Sequence, residues 1–183
     1  AQIVARARRR GVREPTAVTL ATVDARGYPS VRTVLLKGLD ARGPVFYTNR
    51  HSRKGRHLAA NPHAALCLFS DPLKEQVTIE GTVEPVSDEE ADRYWATRDR
   101  ISQLGAWASL QSQPLASRLV LVQRVAGYAA KFAGRAVPRP PHWSGYRVVP
   151  ARIECWRARP TRLNERVLYE RRGRRWTKAL LYP

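Results

Sequence analysis

The stretch Thr16–Asn49, TAVTLATVDARGYPSVRTVLLKGLDARGPVFYTN, decides the fold class. It holds three apolar runs rich in β-branched residues, Thr16–Asp24, Ser30–Leu39 and Pro44–Asn49, separated by ARGYP and DARG. Gly27, Pro29 and Gly43 punctuate those breaks as tight turns. Short apolar runs joined by such turns read as antiparallel strands. Parallel neighbours would need a crossover of a dozen residues or more, and neither break has room for one.

The rest of the chain continues the pattern. His63–Ser70, Glu75–Val86, Tyr146–Trp156 and Arg166–Tyr182 read as strands, the last broken by a turn at Gly173. Helices are expected at residues 2–10, basic and stopped by Gly11 and Pro15, and at Ser52–Ala60, with Ser52 as N-cap and Pro62 as the stop. Asp88 to about Arg98 is a third, capped by Ser87 and acidic in its first turn. Ser102–Ala108 is a short fourth. Leu115–Phe132 is a fifth, with Leu115, Leu119, Val122, Ala126 and Ala129 along one face. GRAVPRPPHWSG, residues 134–145, is a Pro-rich loop. The expected architecture is mainly β with peripheral helices, its antiparallel hairpins closing into a barrel. Neither strand-helix alternation nor a Gly-rich dinucleotide fingerprint is present.

At 183 residues this is one domain with a basic arm at residues 1–15. The chain starts at Ala1 and has no Met, so a natural N-terminus upstream is expected. No apolar run approaches the ~20 residues of a membrane span. Cys67 and Cys155 lie in strand-like runs and read as buried free thiols of a reduced, cytoplasmic compartment. His51, His57, His63 and His142 form no metal-ligand spacing, so no metal is expected. The net charge is +18, and 28 of the 33 basic residues are Arg. That balance suggests polyanionic partners, nucleic acid first. The basic residues are scattered, however, and aromatics do not alternate with them as on a single-strand binding platform. No nucleic-acid or membrane partner is expected.

Three clusters could carry chemistry. In Phe46–Pro62, FYTNRHSRKGRHLAANP, a strand gives way to a helix at Thr48, Ser52, Arg53 and Lys54. Two hydroxyls, a guanidinium and an ammonium at a helix start suit a phosphate. The plainer alternative is a Ser cap on a solvated basic face. Arg32 and Lys37 on the preceding strand could reach the same anion, but regular alternation sets them on opposite faces, so the strand must bulge or the ligand must wrap its end. Tyr94, Arg98 and Ser102 fall at i, i+4 and i+8 of a continuing helix, again a phosphate-binding line; a half-buried Tyr and an Arg paired to Asp92 or Glu90 would explain them too. Arg162, Asn164 and Arg166 share a face of an extended chain, with Trp156 nearby; an edge strand protected by charge is the alternative. Gln76 and Gln111-Ser112 are of the kind that read a heteroaromatic ring. With no nucleophile–base set framed by a motif, an enzyme built this way needs a cofactor.

RTVLLKG, VFYTNRHSRKGRHLAANP, EQVTIEGTVEPVS, YWATRDRISQLGAWASLQS, VPRPPHWSGYRV and IECWRARPTRLNERVLYER, in that order, resemble the pyridoxamine 5′-phosphate oxidase family from about Thr16 to Pro183. The resemblance implies an FMN-binding split β-barrel of antiparallel, Greek-key type, working as a homodimer with FMN at the interface. It implies C-terminal dimerisation and substrate contacts from residues 138–183. The implied FMN contacts are Arg32, Thr33, Val34, Leu35, Leu36, Lys37, Tyr47, Thr48, Ser52, Arg53, Lys54, Gln76, Gln111, Ser112, Trp156 and Arg166. Lys37, Tyr94, Arg98 and Ser102 match substrate-phosphate positions. Arg162 matches the guanidinium that covers the pyridine ring opposite the flavin, and Asn164 a substrate-contacting position; these two are the catalytic candidates. The implied reaction takes pyridoxamine or pyridoxine 5′-phosphate to pyridoxal 5′-phosphate with O2. Three departures stand out: Asn164 where the family usually has His, Thr78 where Arg is usual, and TRDR, residues 97–100, where Ser-Arg-Pro-Arg is common. A sister group oxidising a tricyclic phenazine precursor on the same fold is the alternative.

Overall fold

The computed structural model describes residues 1–183. They gather into two compact units: Ala1–Phe46 with His57–Glu84 and Arg147–Pro183, and Tyr47–Arg56 with Pro85–Tyr146.

The strands are β1 (Ala17–Val23), β2 (Pro29–Asp40), β3 (Gly43–Asn49), β4 (His63–Ser70), β5 (Glu75–Pro85), β6 (Trp143–Arg157), β7 (Glu165–Arg172) and β8 (Arg175–Leu181), of which the first unit holds all but the end of β3, the last residue of β5 and the start of β6. Their order is β3-β2-β1-β4-β5-β6-β7-β8, and β3 also pairs with β6. That extra pairing closes six strands into a barrel and leaves β7 and β8 as an outer hairpin. Closure removes the open edges that a six-stranded sheet would otherwise present. Alternation on β1 sends Val18, Leu20 and Thr22 inward, and on β4 Ala64, Leu66, Leu68 and Ser70. Arg147 is almost fully buried and donates to Asp40 at 2.7 Å and to the Gly43 carbonyl at 3.1 Å. Helix α1 (Gln2–Arg9) packs Ala7 inward, and its Arg6 pairs with the buried Glu75, which Arg157 also holds at 2.7 Å. Burial alone would raise the Glu75 pKa; the hydrogen bonds from Arg6 and Arg157 outweigh it and the net shift is downward.

Helix α2 (Arg53–Ala60) links the two units in the chain. The second unit holds α3 (Asp88–Ala96), α4 (Arg100–Ala108) and α5 (Arg118–Lys131). Its core is Trp95, Leu104, Phe132, Val137 and Trp143, with Tyr47, Tyr94, Trp107, Val125 and Tyr128 against it. The Pro-rich loop is pinned by two indoles: Trp95 Nε1 donates to Val137 O and Trp107 Nε1 to Pro138 O, both at 2.8 Å. Arg124 caps α4 through the Ala108 carbonyl at 2.7 Å, and Arg100 caps α5 through Phe132 O at 2.6 Å.

Three local expectations are corrected. The fifth helix begins at Arg118 behind the Ser117 cap, not at Leu115, and packs Val125, Tyr128 and Ala129 inward. Leu115, Leu119 and Val122 are exposed. The helix carries two apolar stripes, and spacing does not tell which one meets the core. The helix through Tyr94 does not continue: it ends at Ala96, and α4 starts afresh behind Asp99. Finally, Arg162 is not on an extended strand. Residues 160–162 form a 3-10 turn in which Thr161 and Arg162 have φ of 65° and 62°, so Arg162, Asn164 and Arg166 share no regular strand face. Cys67 and Cys155 are free and half-buried, and burial raises both thiol pKa values.

Candidate functional site

In the second unit, β3 delivers Tyr47 and Thr48 to the start of α2. Asn49 Oδ1 accepts the His51 N–H at 2.7 Å, turning the chain. The fully buried Ser52 then caps α2 by accepting Gly55 N–H at 3.3 Å. A Cβ on Gly55 would lie 2.1 Å from the Arg50 carbonyl, so only glycine lets the turn lie against the first helical turn. Thr48, Lys54 and Gln111 then close a triangle. Lys54 Nζ donates to Thr48 Oγ1 and to Gln111 Oε1, each at 3.2 Å, and Thr48 Oγ1 donates to Gln111 at 3.1 Å. Arg53 is exposed beside it. Ser112, next to Gln111, is held at φ 71°, a conformation a non-glycine residue keeps only when its surroundings impose it.

This corner passes a chemical test for a phosphate. It offers an ammonium, a guanidinium, a hydroxyl and the N–H groups of a first helical turn, all donors. The bonds of Lys54 to Thr48 and Gln111 are to neutral oxygens, which a phosphate can displace.

Tyr47 joins this corner to a second one. Its ring stacks on Tyr94 at 4.1 Å and on Trp143 at 5.3 Å. A Cβ on Gly145 would meet the Tyr47 ring at 2.7 Å, so glycine there admits the ring. Arg98 lies in the break between α3 and α4. Its guanidinium sits over Trp143 at 4.8 Å and Trp95 at 5.3 Å and donates to the Ser102 carbonyl at 3.0 Å. Tyr94, Arg98 and Ser102 therefore converge although the helix is interrupted. Burial lowers the Arg98 pKa; burial raises that of Tyr94, with Arg98 opposing. Asp99, absent from the sequence candidates, holds Ser102 by two hydrogen bonds. Its signal was the Asp-x-x-Ser spacing of an N-cap.

The first unit carries the remaining candidates. On β2, Arg32 donates to Thr22 Oγ1 at 2.7 Å, to Leu20 O at 3.3 Å and to Ser30 Oγ. Thr22 in turn meets His57 Nδ1 at 3.2 Å. The β2–β3 register shifts between Leu36 and Gly38, so Lys37 occupies the bulge that a ligand shared with Arg32 requires. Thr33 and Lys37 are exposed, and Val34, Leu35 and Leu36 half-buried. Gln76 donates to Thr78 at 3.4 Å. Trp156 and Arg166 are direct partners in the β6–β7 register, which puts them on one face. Glu154 holds Arg166 at 2.8 Å and raises its pKa. Glu154 was not a sequence candidate, though it lies two residues before Trp156 and hence on the same face. Arg162 is exposed on its 3-10 turn, and Asn164 Oδ1 accepts the Arg159 N–H at 3.1 Å.

The closed six-stranded barrel with its outer hairpin is the split β-barrel of FMN-binding proteins. Residues 5–132 match the family model for pyridoxamine 5′-phosphate oxidase, and residues 143–183 that for the pyridoxine 5′-phosphate oxidase C-terminal dimerisation region. The chain belongs to the pyridoxamine 5′-phosphate oxidase family. It is 64% identical to a pyridoxine/pyridoxamine 5′-phosphate oxidase of Alkalilimnicola ehrlichii over 92% of this chain and 86% of that one. It is 56% identical to the Myxococcus xanthus enzyme of the same name over 100% of this chain and 89% of that one. Among solved structures, PhzG of Burkholderia lata, in complex with tetrahydrophenazine-1-carboxylic acid, matches at TM-score 0.94 and 36% identity, covering 100% of this chain and 89% of that one. No helix is long and apolar enough to cross a membrane.

Proposed function

We propose that the chain is an FMN-dependent oxidase that converts pyridoxamine 5′-phosphate or pyridoxine 5′-phosphate to pyridoxal 5′-phosphate with O2, acting in the cytoplasm as a homodimer with FMN at the interface. One observation carries the reading: two donor corners, Thr48/Lys54/Gln111 and Tyr94/Arg98/Ser102, joined through the stacked rings of Tyr47 and Tyr94.

Thr48, Ser52, Arg53 and Lys54 hold the FMN phosphate, and the Arg32–Lys37 segment, Tyr47, Gln76, Gln111, Ser112, Trp156 and Arg166 the rest of the coenzyme. Bound there, flavin supplies a two-electron acceptor at N5 for the hydride of the substrate's C4′–H bond, with O2 as the final oxidant. Arg98, Tyr94, Ser102 and Lys37 anchor the substrate phosphate. A phosphate fixed by charge-assisted hydrogen bonds removes the rotational freedom of the small ring it carries. Arg162 and Asn164 contact that ring; the Arg162 guanidinium covers its free face, and Asn164 hydrogen-bonds without titrating near neutral pH.

Purified protein should be yellow and release FMN on denaturation, and pyridoxine 5′-phosphate should bleach it anaerobically. A colourless protein whose DNA affinity falls steeply with salt would overturn the reading. The likeness to PhzG supports a second one, oxidation of a phenazine-type carboxylic acid. That reading predicts a yellow protein bleached by a dihydrophenazine carboxylate and barely by pyridoxine 5′-phosphate.

A further inference from the structure

The substrate-phosphate corner has an acid built into it. Asp99 caps α4: its Oδ1 accepts the Ser102 backbone N–H at 2.8 Å and its Oδ2 accepts the Ser102 hydroxyl at 2.7 Å. The Ser102 proton is thereby engaged by a carboxylate, and a ligand that accepts it must compete with Asp99 for it. Asp99 follows Arg98 directly in the chain. The formal charge of Arg98 and Asp99 together is therefore zero, not +1, although Arg98 is placed over two indoles with its fork bonded to the Ser102 carbonyl. Of the other proposed anchors, the Tyr94 hydroxyl is neutral, and Lys37 carries one charge that Asp99 leaves in place.

We infer that Asp99 is a specificity-determining residue that weakens this corner's grip on a doubly charged phosphate more than on a singly charged anion. The inference rests on the proposed function of Tyr94, Arg98 and Ser102. An anion accepting a hydrogen bond at Ser102 would lie about 6 Å from the Asp99 carboxylate, two hydrogen-bond lengths away. Across such a distance at an exposed position, one charge pair in water changes affinity by about threefold. The effect multiplies with ligand charge: about threefold for a monoanion and about tenfold for a dianion, less at high salt.

Asp99→Asn tests this cleanly, because Asn caps a helix as well as Asp does. Its Oδ1 can keep the Ser102 N–H while the amide releases the Ser102 hydroxyl proton. Affinities of the FMN-loaded protein, its flavin first reduced with dithionite and kept anaerobic so that no turnover occurs, are read from quenching of its tryptophan fluorescence at pH 8 and low salt. The two ligands are pyridoxine 5′-phosphate, a dianion, and its monomethyl phosphate ester, a monoanion. Asp99→Asn should tighten the first by about tenfold and the second by about threefold, lowering KM for the phosphate and leaving kcat in place. An unchanged affinity, or an equal gain for both ligands, would overturn the inference. Arg98→Ala separates this from the function beneath it. If Arg98→Ala weakens both ligands while Asp99→Asn changes nothing, the role of Asp99 alone is wrong. If Arg98→Ala changes nothing, the phosphate corner is misplaced and Asp99 loses its role with it.

Discussion

Replacing Lys54 with Met removes the ammonium of the Thr48/Lys54/Gln111 triangle while keeping the length of the side chain. Lys54 is half-buried and bonds Thr48 and Gln111 at 3.2 Å each. In the ligand-free protein, water can replace the ammonium at the Thr48 and Gln111 oxygens. Against a phosphate the loss is one charge-assisted hydrogen bond, worth about 1.5–3 kcal/mol. That corresponds to a roughly 10- to 100-fold rise in the FMN dissociation constant. The assay is titration of flavin-stripped protein with FMN, following loss of flavin fluorescence, with near-ultraviolet circular dichroism as the control for the Tyr47–Tyr94–Trp143 stack. Riboflavin, which lacks the phosphate, should bind both proteins alike. An FMN dissociation constant unchanged in Lys54→Met, or an equal loss for riboflavin, would refute the phosphate assignment.

Glu154→Gln should cut FMN affinity about three- to tenfold by untethering Arg166; a residue that merely braced β6 against β7 would lower Tm and leave flavin affinity alone. Arg162→Ala should lower turnover at least tenfold with little loss of flavin retention, and equal losses of both would contradict its substrate-side role. Glu75→Gln should destabilise the protein by about 2 kcal/mol at pH 7, since it strips two arginines of a buried partner. Because the folded-state pKa of Glu75 is lowered, that stabilisation is present above its unfolded pKa of about 4.3 and is lost as pH falls through the folded value. Urea unfolding of wild type and variant should therefore converge in acid; a gap that persisted there would mean the loss is steric.

Strands and the starts of α2 and α3 were legible because their signals are local. Gly27, Pro29 and Gly43 turn the first hairpins, and Ser52 and Ser87 cap helices where their side chains can reach the next turn. The cluster proposed to hold phosphate could be read for the same reason, since one unbroken segment from Thr48 to Lys54 supplies most of it. What escaped depends on the partner that each residue meets. The bulge at Lys37 is set by register against β3. The inward stripe of α5 was hidden by a second apolar stripe on the same helix. Thr161 and Arg162 adopt left-handed backbone with no glycine to announce it. Tyr94, Arg98 and Ser102 were grouped on the premise of a continuing helix; the helix breaks instead, and the Asp99 cap restarts it with Arg98 still in reach of the Ser102 carbonyl.

The account turns on two separate anion corners, one for coenzyme and one for substrate. The most direct test is the anaerobic rate of flavin bleaching by pyridoxine 5′-phosphate beside that by pyridoxine, which lacks the phosphate. Loss of the anchor should slow bleaching at subsaturating substrate by at least about 100-fold. Equal rates for the two compounds, or no bleaching by either, would contradict it.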